Sequence, residues 1–302
     1  MFNGSLVRMG NRKFGLAVFL GDVRSLFKAG VLVANVLPVF TGFWLALFFS
    51  GYSFADYQGL FWLTMAGSLL LMGGALVINN WYDVDIDTVM ERTKKRPTVT
   101  GHFSLRSVLI TGIVLSVIGQ VILLFTTYEA AIYGFIGWFV YVIPYTMWSK
   151  RRYTLNTVIG SISGAVSPMI GWTAVDSGFQ LVPIIFFLIL FLWQMPHTFA
   201  IAIRKHDEYK AAKVAMLPVL YGIPITKRQI LIYNLCLLPL PLYLTSLGTV
   251  FVTLAMIMNI GFLAVSIHGF FAKDDQKWAR TIFLYSVNYI ALIFLLPIIV
   301  TL

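Results

Sequence analysis

Long apolar runs separated by short polar breaks dominate this chain. Runs of spanning length fall at 29–49, 60–80, 104–126, 128–148, 156–175, 182–203, 229–248, 250–271 and 281–301, and each approaches the roughly twenty helical residues that cross a bilayer's hydrocarbon core. The pattern predicts an all-α polytopic membrane protein of nine transmembrane helices, forming a single domain over 29–302 behind an N-terminal arm at 1–28. Within the arm, the apolar run from Phe14 to Leu20 is short, is interrupted by Gly21 and Asp22, and has no small-residue cleavage pattern after it. It reads as an interfacial helix, not a signal peptide. Pro144, Pro168, Pro183, Pro196 and Pro297 lie inside or beside the runs and predict kinks, which membranes tolerate where neighbours satisfy the freed carbonyls.

Composition agrees with the pattern. The 302 residues are 59% hydrophobic and 11% charged, far from the usual quarter-charged globular average, and the mean hydropathy is +0.85. A net charge of +10 would by itself suit nucleic acid, but no basic stripe with interleaved aromatics occurs, so nucleic acid is excluded as a partner. Instead, all 22 Lys and Arg fall in the arm, in 81–103 with Arg106, in 150–152, in 204–228 and in 272–280, while Asp56, Glu129 and Asp176 occupy the alternate connections. By the positive-inside rule the N-terminus and every long loop are cytoplasmic and the C-terminus is outside, as an odd number of spans requires. The single cysteine, Cys236, excludes an intrachain disulfide and CxxC metal sites.

Candidate chemistry concentrates where the second run ends, in NNWYDVDIDTVMERTKKRP over 79–97. Asn79, Asp83 and Asp87 recur every fourth residue, so on a continuing helix they project from one face along about 12 Å. Such a row of oxygen donors suits a hard divalent cation, and Mg2+ takes one or two carboxylates plus substrate oxygens. Arg92, Lys94, Lys95 and Arg96 follow at once, as a polyanionic diphosphate would need; the alternative is a helix end solvated by its own charges. A second cluster, Arg204, Lys205, His206, Asp207, Glu208, Tyr209 and Lys210, ends the sixth run on the same side. Two such loops could close over one cavity, with a parallel repeat behind them. Polar residues inside spans, Asn35, Asn156, Gln194 and His197, are costly facing lipid and predict interior positions, as interhelical hydrogen bonds or as substrate contacts. His197 follows Trp193, Gln194, Met195 and Pro196, a soft and aromatic niche, and an imidazole nitrogen can bind a haem iron. Gly160, Gly164 and Gly171, with Ser161, Ser163 and Ser167, predict close helix approach at the fifth run.

The block NNWYDVDID with MERTKKRPTVTG resembles the first aspartate-rich motif of the UbiA superfamily of membrane prenyltransferases, in its protohaem IX farnesyltransferase branch. YTMWSKRRYTLNTVIGSISGAVSPMIGWTA, WQMPH and HDEYKAAKVAMLPV resemble further blocks of that branch, so the likeness covers about 28–230. It looks closest to enzymes of Gram-positive bacteria. One departure is Lys213, which stands where the branch commonly has Gly or Asn, residues suited to a left-handed helix cap. The resemblance implies a UbiA-type bundle with a cytoplasm-facing cavity in a bacterial cell membrane, transferring farnesyl from farnesyl diphosphate to a vinyl group of protohaem IX. It implies Mg2+ on Asn79, Asp83 and Asp87, and diphosphate contacts from Arg92, Lys94, Lys95, Arg96 and Lys205. The implied pocket has Asn35, Tyr82, Tyr145, Asn156, Trp193, Gln194, His197, Asp207, Glu208 and Tyr209, and the candidate partners are a haem A synthase or a terminal oxidase assembly factor. An aromatic quinone precursor as acceptor, and a non-enzymatic transporter, are the rival readings.

Overall fold

The computed structural model describes residues 15–302, which contain helices and no strand. The first fourteen residues of the expected arm, with Arg8, Arg12 and Lys13, lie outside the described residues. Helix α1 (Leu16–Leu26) runs through Gly21 and Asp22 without interruption. The buried Asp22 carboxylate meets His102 Nδ1 at 2.7 Å. Leu16, Val18, Phe19 and Leu20 stay exposed on α1, the apolar face an interfacial helix requires.

Helices α2 (Ala29–Ser50) and α3 (Phe54–Tyr82) lead into the short α4 (Val84–Val89) and α5 (Pro97–Thr100), then α6 (Leu105–Leu124). Ser53 caps α3 by accepting from the Ala55 amide at 3.3 Å, so this helix starts earlier than the apolar run alone indicated. Helix α7 (Tyr128–Val140) continues as a π-helical segment, Tyr141–Ser149, around Pro144. Pro144 cannot donate to the carbonyl four residues back, and the wider coil accommodates the loss.

Among the described residues, eight helical stretches are long and apolar enough to cross a membrane. The fifth expected span, 156–175, is instead divided into α8 (Asn156–Ala165) and α9 (Ser167–Thr173), which meet at Val166. Pro168 takes the first turn of α9, where a missing N–H costs nothing, whereas inside one continuous helix it would clash with the Gly164 carbonyl. The break also lets α9 press against α2. A Cβ on Gly171 would stand 1.9 Å from the Val39 carbonyl oxygen, and one on Gly42 would stand 2.1 Å from that of Pro168, so only glycine permits this backbone approach.

The chain continues through α10 (Leu181–Arg204), α11 (His206–Ala211), α12 (Leu217–Leu237), a 3-10 segment (Leu240–Leu247), α13 (Thr249–His268) and α14 (Asp275–Val300). Helix α12 begins before the seventh apolar run and bends at Gly222, whose φ is +82°. The main core joins α10, α12, α13 and α14 through buried Phe186, Ile189, Ile230, Phe251, Phe262, Ile282 and Phe294. Outward residues are apolar as well, such as Ile110, Ile113, Val117 and Val121 along α6. With no hydrophobic driving force between helices in lipid, close packing and internal hydrogen bonds hold such a bundle.

Candidate active site at the polar end of the bundle

Helix α3 ends at Tyr82, yet the four-residue ladder does not. The Asp83 amide donates to the Asn79 carbonyl at 2.9 Å and the Asp87 amide to the Asp83 carbonyl at 2.9 Å. The row therefore keeps one face across the junction with α4, as the spacing predicts. Asn79, Asp83 and Asp87 are at most 3% exposed. Asn79 Nδ2 donates to Asp83 Oδ2 at 2.8 Å and to Thr146 Oγ1 of the π segment at 3.0 Å, which leaves Asn79 Oδ1 facing the Lys28 ammonium.

Cations from three directions neutralise the row. Lys28 joins α1 to α2 in a left-handed conformation, φ 46°, and delivers its Nζ to Asn79 Oδ1. Lys150, just past the π segment, donates to Asp83 Oδ2, and Arg96, capping α5, donates to Asp87 Oδ2 at 2.5 Å. Arg151 forks onto Asp85 at 2.6 and 2.7 Å, with its guanidinium 5.1 Å from the Tyr82 ring centroid. Arg151 also stands 3.6 Å from Asp83 Oδ1, so Lys28, Lys150, Arg96 and Arg151 together surround the row of Asn79, Asp83 and Asp87. Burial, with Arg96 and Lys150 close by, pushes the Lys28 ammonium well below the usual lysine range. Desolvation also acts to lower Lys150, but the Asp83 charge and hydrogen bond hold it above its ordinary value.

The donor set fits a hard cation. Asp83 Oδ1 is buried and makes no hydrogen bond among the described residues, only an ion pair with Arg151 at 3.6 Å, and every candidate ligand is an oxygen. No group of three or more His, Cys, Asp or Glu gathers among the described residues; two carboxylates and an amide are what Mg2+ accepts when substrate oxygens complete its sphere.

Beside the row an apolar cavity of about 190 Å³ opens among α2, α3, α7, α8 and α10, with Asn35, Tyr141, Tyr145, Gln194 and Thr198 in its wall. Tyr145 connects cavity to row, since the Lys150 Nζ lies 5.9 Å from its ring centroid.

The structure divides the remaining sequence-predicted residues. Of the basic run only Arg96 reaches the row: Arg92, Lys94 and Lys95 are exposed, and Lys94 pairs with Glu91 at 2.5 Å. Asn156 is buried away from the cavity wall, donating to the Ala215 carbonyl at 2.8 Å. Tyr82 donates to the Met147 carbonyl at 3.2 Å. Gln194 lines the cavity, whereas Trp193 and His197 turn toward α14, donating to the Ser286 carbonyl and meeting Ser286 Oγ, each at 2.8 Å.

The second cluster does reach the first, through buried Ile86 and Met90 packed on Ala202, Val214 and Met216, with Tyr209 alongside. Its acids do not join the row. The Asp207 side chain is fully exposed beside His206, and Glu208 pairs with Lys205 at 2.5 Å. The left-handed cap after α11 persists with a lysine in it, Lys213 at φ 53°; the Val214 amide still closes on the Tyr209 carbonyl at 3.0 Å.

Lys28, Thr146, Lys150 and Arg151 were not singled out from the sequence. The available signal was the charge count, which put Lys28 and 150–152 on the same side as the aspartates; what it lacked was proximity.

A model of the UbiA prenyltransferase family matches residues 35–287. A protoheme IX farnesyltransferase of Oceanobacillus iheyensis is 49% identical over 97% of this chain and 93% of its own length. Protoheme IX farnesyltransferase 2 of Bacillus subtilis is 50% identical over 93% and 92%. Among solved structures, a digeranylgeranylglyceryl phosphate synthase superposes with a TM-score of 0.74 at 18% identity, covering 93% of this chain and 98% of that one. A UbiA homolog from Archaeoglobus fulgidus bound to GPP and Mg2+ gives 0.67 at 15%, covering 92% and 99%.

Proposed function

The chain belongs to the UbiA prenyltransferase family, and from that premise we propose that it transfers farnesyl from farnesyl diphosphate to a vinyl group of protohaem IX. The observation that carries the chemistry is the buried row Asn79, Asp83 and Asp87, countered by Lys28, Lys150 and Arg96 beside an apolar cavity. The acceptor is supported by the near-full-length identity to protoheme IX farnesyltransferases.

Asn79, Asp83 and Asp87 would hold Mg2+, which when bound supplies Lewis-acid neutralisation of the leaving oxygens. Lys28, Lys150 and Arg96 are long or forked cations already aimed at this point, and they stabilise negative charge as it builds on the departing diphosphate. Tyr141 and Tyr145 line the cavity, where an allylic cation would be attracted to an aromatic quadrupole. The apolar wall holds the isoprenoid away from bulk water. In the balanced reaction the farnesyl C–O bond breaks, a C–C bond forms to the vinyl carbon, and water captures the resulting cation with loss of a proton.

We place the polar end in the cytoplasm, because the Lys and Arg residues gather in the connections at that end. The described part of the expected arm, α1, is then interfacial, and 29–302 form one domain. With α8 and α9 counted as one broken crossing, the described residues make nine. Asn156, starting α8, donates to Ala215 beyond the end of α10, so the chain leaves the polar end and returns to it between those residues. A product this apolar suits direct transfer to a membrane partner such as a haem A synthase or an oxidase assembly factor.

The test is to incubate purified protein with haem B, farnesyl diphosphate and Mg2+, in parallel with an aromatic quinone precursor, and to analyse the products by mass spectrometry. A haem bearing the added farnesyl and hydroxyl groups supports the reading. Prenylation of the aromatic with haem unchanged overturns it.

A further inference from the structure

Trp193, His197 and Arg204 share a face of α10 that the site described above does not use. Two aromatic rings flank the His197 imidazole, Trp193 at 4.7 Å and 24° and Phe283 at 5.1 Å and 32°. Its Nδ1 lies 2.8 Å from Ser286 Oγ. The Ser286 hydroxyl donates to the Phe283 carbonyl at 2.6 Å, so its single proton is committed and it can only accept from the imidazole. That assigns the ring proton of a neutral His197 to Nδ1 and the lone pair to Nε2. Among the described residues Nε2 has no hydrogen-bond partner. An imidazole whose Nδ1–H is fixed by an oxygen is the arrangement by which proteins orient a metal-binding histidine.

Arg204 lies seven residues further on, about 10 Å along the helix axis and close to the same face. Its guanidinium stands 5.3 Å from the centroid of the same Phe283 ring, and among the described residues it has no carboxylate partner. With Lys205, His206, Asp207 and Glu208 it lines a polar cavity of about 290 Å³ at the end of the bundle, where Glu208 is taken by Lys205 and Asp207 by His206, leaving Arg204 as the cation without an acid. A planar fork in this position suits a carboxylate. The separation is on the scale between a porphyrin's central iron and its peripheral carboxylates. Gln194 and Thr198, next to His197 in sequence, line the apolar cavity, so the two substrates would take neighbouring faces of α10.

We propose that His197 binds the iron of the haem acceptor through Nε2 and that Arg204 holds a haem propionate; this rests on the acceptor reading above. The test uses full-length protein loaded with ferrous nitrosyl haem B, read by electron paramagnetic resonance. The wild type should show hyperfine splitting from a trans imidazole nitrogen. His197→Ala should lose it and regain it on addition of free imidazole. Ser286→Ala, which keeps the imidazole but frees its tautomer, should weaken haem binding roughly tenfold. Arg204→Ala should weaken binding of haem B but not of its dimethyl ester. A wild type that farnesylates haem while His197→Ala gives an unchanged spectrum overturns the iron ligand alone, and equal loss of haem and ester in Arg204→Ala overturns the propionate contact. A wild type that binds farnesyl diphosphate with Mg2+ but neither binds nor alters haem overturns the acceptor reading beneath both.

Discussion

Two helix ends of similar composition meet different fates in this protein. The end of α3 and the end of α10 both close in a mixture of acids and bases and lie against each other through Ile86, Met90, Ala202, Val214 and Met216. At the first, Asp83 and Asp87 are buried and each receives a cation from elsewhere in the chain. At the second, Asp207 stands in solvent, and Glu208 takes its cation from Lys205 three residues away. The difference does not lie in the backbone, because the i to i+4 hydrogen bonds continue through Asp83 at the first junction and through Lys205 at the second. It lies in what covers the acids: Lys150 and Arg96 reach Asp83 and Asp87 from other segments, whereas nothing among the described residues covers Asp207. Charge at a helix end becomes a site only when the chain carries it under a roof that also supplies counter-charges, since burying unpaired carboxylates is prohibitive.

The contrast can be broken most sharply by Asp83→Asn or Asp87→Asn. Each should lower turnover on the order of 1,000-fold at normal membrane abundance, while Asp207→Asn should stay within roughly twofold. Prenyl-transfer rates with immunoblots of the membrane fraction check both, and equal effects at the two ends would dissolve the distinction. Lys150→Met should come next, costing about 3 kcal/mol because it leaves the buried Asp83 charge with only the longer Arg151 pair at 3.6 Å. Thermal unfolding in detergent measures this, and the variant's midpoint should depend more steeply on Mg2+ than the wild type's.

Lys213→Gly should stabilise the protein by about 1 kcal/mol, by relieving a side chain from the left-handed region without touching either end's charges; denaturant midpoints would register it. The smallest effect is expected at the solvent edge of the first end. Arg151 hydrogen bonds hold the Asp85 carboxylate below its usual range. A carboxylate depressed by folding contributes at neutral pH and loses that contribution only as pH falls through its lowered value. Because Asp85 is largely exposed, Asp85→Asn should cost under about 1 kcal/mol, less at high salt and nothing in strong acid. A large, salt-independent loss would show that this ion pair belongs to the buried cluster.

The sequence by itself determined the membrane class, the approximate positions of the apolar helices and the single face shared by Asn79, Asp83 and Asp87, because hydropathy and a four-residue period are local properties. It also marked glycines of the fifth run as packing positions, and Gly171 meets α2 at backbone distance. Tertiary structure alone decided that the run at 156–175 divides at Val166, that Lys28 and Lys150 rather than Arg92, Lys94 and Lys95 reach the row, and that His197 faces Ser286 instead of the cavity beside Gln194. Each of these depends on which helices become neighbours. Lys28 and Asn79 lie 51 positions apart and His197 and Ser286 lie 89 apart, separations over which the free energy of a contact is set by packing of the whole bundle and leaves no periodic trace in the chain.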